Sequence, residues 1–270
     1  MEKYEYLGQT IMEQDRHQFI YGYNGEERKQ FLKTLASKYP IVLNKNMPMA
    51  VCLEEIGLPK INIDVELDKD MIEIISRDYL SLTITSKIIN NLLSQIDKND
   101  LDKSRISLFL RAIRSFIMNK KEYQLKDLNE LNNLLIESKD GYLEAYKEYI
   151  KSAEIKSFME KLPISFIDLN TFSMIFKEML NNNSYFGIIV DHQKPIALSS
   201  YKAINELVSY RINGDISMKI ACEPDEWKTN RDLKGEFIEV THDYGTVEFD
   251  DSLKEHIKKM KRKYNIFNED

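Results

Sequence analysis

The sequence predicts an α/β fold with a mostly parallel sheet, helices on both faces of that sheet, and an inserted all-helical subdomain. Two observations predict it. Short strand-like runs alternate with helical repeats at both ends of the chain, and strands separated by helices favour parallel pairing. Between these ends, from residue 65 to residue 162, apolar residues recur only at helical spacing.

The composition is that of an ordinary globular chain: 270 residues, 43% hydrophobic and 30% charged. A mean hydropathy of −0.44 predicts no membrane span and no membrane partner, and the N-terminus lacks the layout of a secretory signal. Cys52 and Cys222 lie far apart, which favours reduced thiols, a cytoplasmic location and no zinc site. The net charge of −6 excludes a generally basic nucleic-acid coat protein.

The first part of the core, residues 1–64, contains a strand, a glycine loop and a helix. The β-type run 18–21 precedes Gly22-Tyr23-Asn24-Gly25, and a helical repeat follows the loop. Its inward positions are Phe31, Leu32, Leu35 and Ala36. A second buried strand is predicted at 49–53, between Pro48 and Pro59.

The insertion, residues 65–162, carries three apolar stripes that we expect to pack on one another. They are Ile88, Ile89, Leu92, Leu93 and Ile96; Ile106, Phe109, Ile113, Phe116 and Ile117; and Leu125, Leu128, Leu131, Leu134 and Leu135.

The second part of the core, residues 163–250, opens with a helix that Asp168 or Asn170 caps and that ends at the turn 181–183. Strands are predicted at 185–190 and 215–221, with a helix between them. The runs 237–240 and 246–249 predict either one hairpin or two separate strands. The remainder, 251–270, predicts a basic helix from Leu253 to Tyr264.

The glycine loop resembles the phosphate-binding loop of P-loop ATPases of the AAA and origin-recognition type. That loop needs a strand, the pattern GxxxxGK[ST] and a helix, so that backbone N–H groups, a lysine and a hydroxyl hold phosphate and Mg²⁺. Here Gly22, Asn24 and Gly25 match the YGxNG opening. The resemblance implies a three-layer P-loop NTPase-like core and assigns cofactor binding to Gly22, Asn24, Gly25, Arg28 and Lys29.

All three chemical positions of the motif are changed. Glu27 stands at the second glycine, Arg28 at the Walker lysine and Lys29 at the Ser or Thr. Glu27 adds negative charge where a triphosphate would lie, and at about 4 Å each like charge costs roughly 4 kcal/mol. Arg28 does not reproduce a compact ammonium, and Lys29 cannot ligate Mg²⁺. We therefore expect at most weak ATP binding and no resident metal.

The run Ile188 to His192 resembles the second ATPase motif, the Walker B strand. Asp191 is kept, and His192 stands where a glutamate usually activates water. The strand near 216–221 resembles the sensor-bearing strand, and Arg211 precedes it. The resemblance thus implies Asp191, His192 and Arg211 as catalytic candidates.

Taken together, the sequence predicts a catalytically degenerate AAA-type protein acting as a regulatory or interaction subunit, with a protein partner or copies of itself. Relatives of this type assemble as rings or filaments, where Arg211 or Arg28 could be lent to a neighbouring site. One alternative is an active, unorthodox NTPase that uses Arg28 or Lys29 with Asp191. Another is a helical nucleic-acid-binding protein that contacts phosphates through the basic C-terminal helix.

Overall fold

The computed structural model describes residues 2–61, 68–95, 101–117, 125–152, 154, 168–209 and 215–250. Five strands form one parallel sheet in the order β2-β3-β4-β1-β5. These strands are β1 (Gln18–Tyr21), β2 (Met49–Leu53), β3 (Phe186–Asp191), β4 (Ile216–Cys222) and β5 (Gly245–Glu248). The predicted α/β class with a parallel sheet is confirmed.

Seven helices lie within the described residues. They are α1 (Glu2–Met12), α2 (Gly25–Lys38), α3 (Lys69–Gln95), α4 (Lys103–Phe116), α5 (Leu128–Ser152), α6 (Leu169–Leu180) and α7 (Leu198–Ser209). Helix α6 begins and ends where the sequence predicts. Asp168 accepts hydrogen bonds from the backbone N–H groups of Asn170 and Thr171, and Asn181 takes the left-handed conformation with φ 52°.

The sheet separates two apolar clusters, because successive side chains of a strand point to opposite faces. On one face, Ile20 and Ile189 pack against Leu32 of α2 and Ile11 of α1. On the other face, Phe19, Val51 and Ile188 join the apolar sides of α3, α4, α5, α6 and α7. Helices thus cover both sides of the sheet.

The predicted insertion carries α3, α4 and α5. Helix α3 packs against α5 and also against α7, so its apolar side is continuous with the core over the sheet. The Tyr142 hydroxyl of α5 donates to Asp78 of α3 across 2.8 Å. Neither these helices nor the others in the described ranges combine the length and the apolar character that crossing a bilayer requires.

Two parts of the sequence prediction need correction or fall outside the described residues. The runs near 237–240 and 246–249 do not form a hairpin: β5 pairs in parallel with β1, and residues 237–240 make only isolated bridges. Arg211 and the basic helix Leu253–Tyr264 lie outside the described residues. Helix α1, which the sequence analysis did not predict, covers the face of the sheet beside α2.

Candidate functional site

The glycine loop lies at the carboxyl edge of the sheet, where ligands of open α/β sheets commonly bind. It leads from the end of β1 into α2, and the Gly22 N–H donates to the carbonyl of Cys222 at the end of β4. Strand β4 separates β1 from β3, which ends at Asp191. The loop and the Walker B-like aspartate therefore share one edge of the sheet.

Arg28 fills the space between the loop and β3. Its Nε donates to Asp191 Oδ1 across 3.0 Å, and its Nη1 donates to the carbonyl of Gly22. A third, longer contact joins Nη2 to the carbonyl of His192 at 3.5 Å. Arg28 is 1% exposed and Asp191 2% exposed, so this ion pair is shielded from water.

Both carboxylate oxygens of Asp191 are engaged. Arg28 donates to Oδ1, and the side-chain amide of Gln193 donates to Oδ2 across 2.5 Å. Burial raises the pKa of the Asp191 carboxyl, while the hydrogen bond and charge of Arg28 oppose that rise. A divalent cation at Asp191 would have to displace one of these donors.

The loop's backbone N–H groups also have an internal acceptor. Asp250, two residues beyond β5, accepts at Oδ2 from the N–H of Tyr23 across 2.9 Å and from that of Asn24 across 3.3 Å. A carboxylate on successive loop amides makes the kind of contact that a phosphate oxygen makes in a phosphate-binding loop. The carboxylate of Asp250 thus occupies the place on the loop amides that a bound phosphate would take.

Asn24 and Glu27 brace the start of α2. The Asn24 side-chain oxygen caps the helix by accepting from the N–H of Glu27 across 3.2 Å, and its amide donates to Glu27 Oε2 across 2.8 Å. The hydroxyl of Tyr4 donates to the other oxygen of Glu27, which ties α1 to the loop. Glu27 therefore takes part in a capping network.

The two glycines of the loop differ in their surroundings. A Cβ on Gly22 would lie 3.0 Å from two side-chain carbons of Phe249, so the glycine permits a close approach of the residue that precedes Asp250. A Cβ on Gly25 would meet its nearest atom, the Gln193 amide nitrogen, at 3.9 Å. In this structure Gly22 makes room for a side chain of the protein itself.

His192 points away from the loop into an aromatic cluster. Its Nε2 lies 2.9 Å from the Tyr201 hydroxyl, and its ring makes edge contacts with Tyr201 and Trp227. Burial lowers its pKa, which favours the neutral imidazole. The water-activating position implied by the resemblance therefore holds a packed core side chain.

Lys29 does not join Arg28 at the loop. Its ammonium lies 3.8 Å from Glu54, just past the end of β2, and Lys33 forms a closer pair with the same carboxylate. Of the predicted site residues, the structure brings together Gly22, Asn24, Gly25, Arg28 and Asp191, and it directs the side chains of His192 and Lys29 elsewhere.

Sequence reasoning missed Asp250, Gln193 and Phe249. Gln193 follows two residues after the predicted aspartate, which is the one local signal that could have marked it. Asp250 and Phe249 reach the loop only because β5 pairs beside β1.

The described residues contain no group of three or more His, Cys, Asp or Glu side chains placed to hold a metal ion. Comparisons with protein-family models, with curated proteins and with solved structures find no match to this chain. The interpretation of the site therefore depends on its geometry and on the sequence pattern of the loop and of β3.

Proposed function

We propose that the chain is a catalytically inactive relative of AAA-type P-loop ATPases that works as a regulatory or interaction subunit, with weak or no nucleotide binding. The observation that carries the proposal is the internal occupation of the loop. Arg28 occupies the position of the Walker lysine and donates a hydrogen bond to Asp191. Asp250 accepts hydrogen bonds from the N–H groups of Tyr23 and Asn24.

The arrangement of the sheet supports the relationship to this family. A strand, a glycine loop and a helix lie at the carboxyl edge, and one strand separates them from the strand that ends in aspartate. That intervening strand, β4, is the one whose sequence resembles the sensor-bearing strand. The placement agrees with an AAA-type core.

Charge opposes the binding of a triphosphate. The Asp250 carboxylate lies on the loop amides, and Glu27 is held at the same loop by Asn24. Each like charge at about 4 Å costs roughly 4 kcal/mol at an effective dielectric constant near 20. The charge of the buried Arg28 does not offset this repulsion, because its Nε already donates a hydrogen bond to the carboxylate of Asp191.

The residues present do not fit Mg²⁺. Lys29 occupies the motif position at which a Ser or Thr hydroxyl would bind Mg²⁺. Both oxygens of Asp191 accept hydrogen bonds from neighbouring side chains. We therefore derive no hydrolytic step from this site. What the constellation does is hold the glycine loop, the start of α2 and the end of β3 together.

Regulation of a neighbouring active subunit, if it uses an arginine, cannot use Arg28. That side chain is 1% exposed and already bonded inside the protein. Of the two arginines that the sequence suggests for a neighbouring subunit's active site, Arg28 is therefore excluded, and Arg211 stays a prediction.

The test is calorimetric titration of the full chain with ATP, with and without Mg²⁺. We expect no metal-dependent binding and no change when Asp191→Ala is compared with the unaltered chain under conditions in which both are folded. Micromolar binding that needs Mg²⁺ and is lost in Asp191→Ala would contradict the proposal and favour an active NTPase.

A further inference from the structure

A separate cavity lies away from the glycine loop, between α3, α5 and α7. It measures about 440 Å³, within the range of small-molecule pockets. Its apolar wall is formed by Ile61, Ile72 of α3, Tyr146 of α5, and Ala197 and Leu198 at the start of α7. Leu198 is 57% exposed, so this wall presents a large aliphatic side chain to water.

The rim of the cavity is basic. Lys60, Lys69 and Lys202 line it together with a single acidic residue, Glu73. Lys69 lies 3.7 Å from Glu73, and no carboxylate of the described ranges pairs with Lys60 or Lys202. Among the described residues that line the cavity, three ammonium groups therefore face one carboxylate.

Besides the lysines and Tyr146, the described polar side chains of the lining are Ser199 and Glu73, and the buried Oε1 of Glu73 has no hydrogen-bond partner. The Ser76 hydroxyl donates to the Ser199 hydroxyl across 2.7 Å. The cavity therefore offers an apolar surface with cations at its mouth, and few neutral hydrogen-bonding groups.

We propose that this cavity binds a small amphipathic carboxylate, with an aliphatic body and a single anionic head. The aliphatic body packs on Ile72, Tyr146 and Leu198, which removes its methylene groups from water. The carboxylate lies at the mouth beside Lys60 and Lys202. This inference is independent of whether the glycine loop binds nucleotide.

Octanoate is the probe, and octan-1-ol is its neutral counterpart of equal chain length. Titration calorimetry should give octanoate a Kd of about 1 mM or lower, and octan-1-ol a weaker one. The double variant Lys60→Gln, Lys202→Gln should weaken octanoate binding by about threefold to tenfold and leave octan-1-ol unchanged.

Leu198→Gln tests the apolar wall. Because Leu198 is more than half exposed, this change leaves the core intact and should weaken both ligands. Lys45→Gln is the matched control, since Lys45 is exposed and lies outside the cavity lining. It should leave both affinities unchanged.

The proposal is overturned if octanoate does not bind, or if the lysine variant weakens the alcohol as much as the acid. It is also overturned if the chain does not bind free octanoate but sediments with vesicles that contain anionic phospholipid. The lysines of the cavity would then bind a membrane surface.

Discussion

The guanidinium of Arg28 reaches across the glycine loop and bonds to Asp191 over 3.0 Å, inside a region almost closed to solvent. In the relationship to P-loop ATPases that we propose, Arg28 takes the position of the lysine that binds phosphate, and Asp191 the position of the acid that holds the metal. In this chain they neutralise each other. Breaking such a buried pair is costly, since the remaining charge keeps its desolvation penalty without its partner.

Arg28→Met should lower the free energy of unfolding by about 3 to 5 kcal/mol, because Asp191 is left buried and uncompensated. Urea unfolding measures the change. Arg77→Met is the matched control: Arg77 also bonds a carboxylate, that of Glu206, through two hydrogen bonds of 2.9 and 3.2 Å, but it is 50% exposed. There the loss should be about 1 kcal/mol or less.

A double variant, Arg28→Met with Asp191→Leu, should recover most of that loss, because it removes both charges from the interior. Equal losses for Arg28→Met and Arg77→Met would mean that the buried pair does not hold the loop.

Gly22→Ala should destabilise the chain by about 1 to 3 kcal/mol through overpacking against Phe249. Gly25→Ala should be close to neutral, because its added Cβ finds ordinary contact distances. Thermal or urea unfolding of the two variants gives the comparison. If Gly25→Ala cost as much as Gly22→Ala, the close approach of Phe249 would not explain the glycine.

Asp250→Asn should speed hydrogen exchange at the amides of Tyr23 and Asn24 by about tenfold, because a neutral acceptor is weaker than a carboxylate. Exchange followed by NMR reads both amides directly. The Gly25 and Arg28 amides donate to backbone carbonyls of the same loop and serve as internal controls. Unchanged rates at Tyr23 and Asn24 would show that Asp250 is not their acceptor in solution.

His192 should make folding stability depend on pH. Its pKa is lowered in the folded chain, so below about pH 6.5 the unfolded state binds the extra proton more readily. Stability from this group is complete above that pH and declines as the pH falls toward the folded pKa, by at most about 1.4 kcal/mol per pH unit.

In His192→Phe the part of the slope due to this imidazole should disappear. Unfolding free energies of both chains between pH 5 and pH 8, roughly the range in which histidine titrates, provide the test. Parallel curves would contradict a buried, neutral His192.

Local patterns predicted much of the fold. The β-type runs at 18–21 and 49–53 match β1 and β2, and the Asp168 cap and the 181–183 turn bound α6, because these signals lie within a few residues of one another. The strand, loop and helix around Gly22 were recognised for the same reason. The sequence also indicated that Arg28 and Asp191 belong to one site.

The internal partners were not predictable from local spacing. Asp250 and Phe249 come from the far end of the core, and only the pairing of β5 beside β1 brings them to the loop. His192 occupies a motif position, but packing with Tyr201 and Trp227 determines where its ring points. A motif gives the position of a residue along a strand, whereas tertiary contacts decide what its side chain faces.

The most direct measurement is a crystal structure of the full chain grown with ATP and Mg²⁺. We expect Arg28 bonded to Asp191, Asp250 on the amides of Tyr23 and Asn24, and no nucleotide at the loop. Phosphate density on those two amides, with Asp250 displaced and Mg²⁺ at Asp191, would contradict the view that this loop is filled by the protein's own charges.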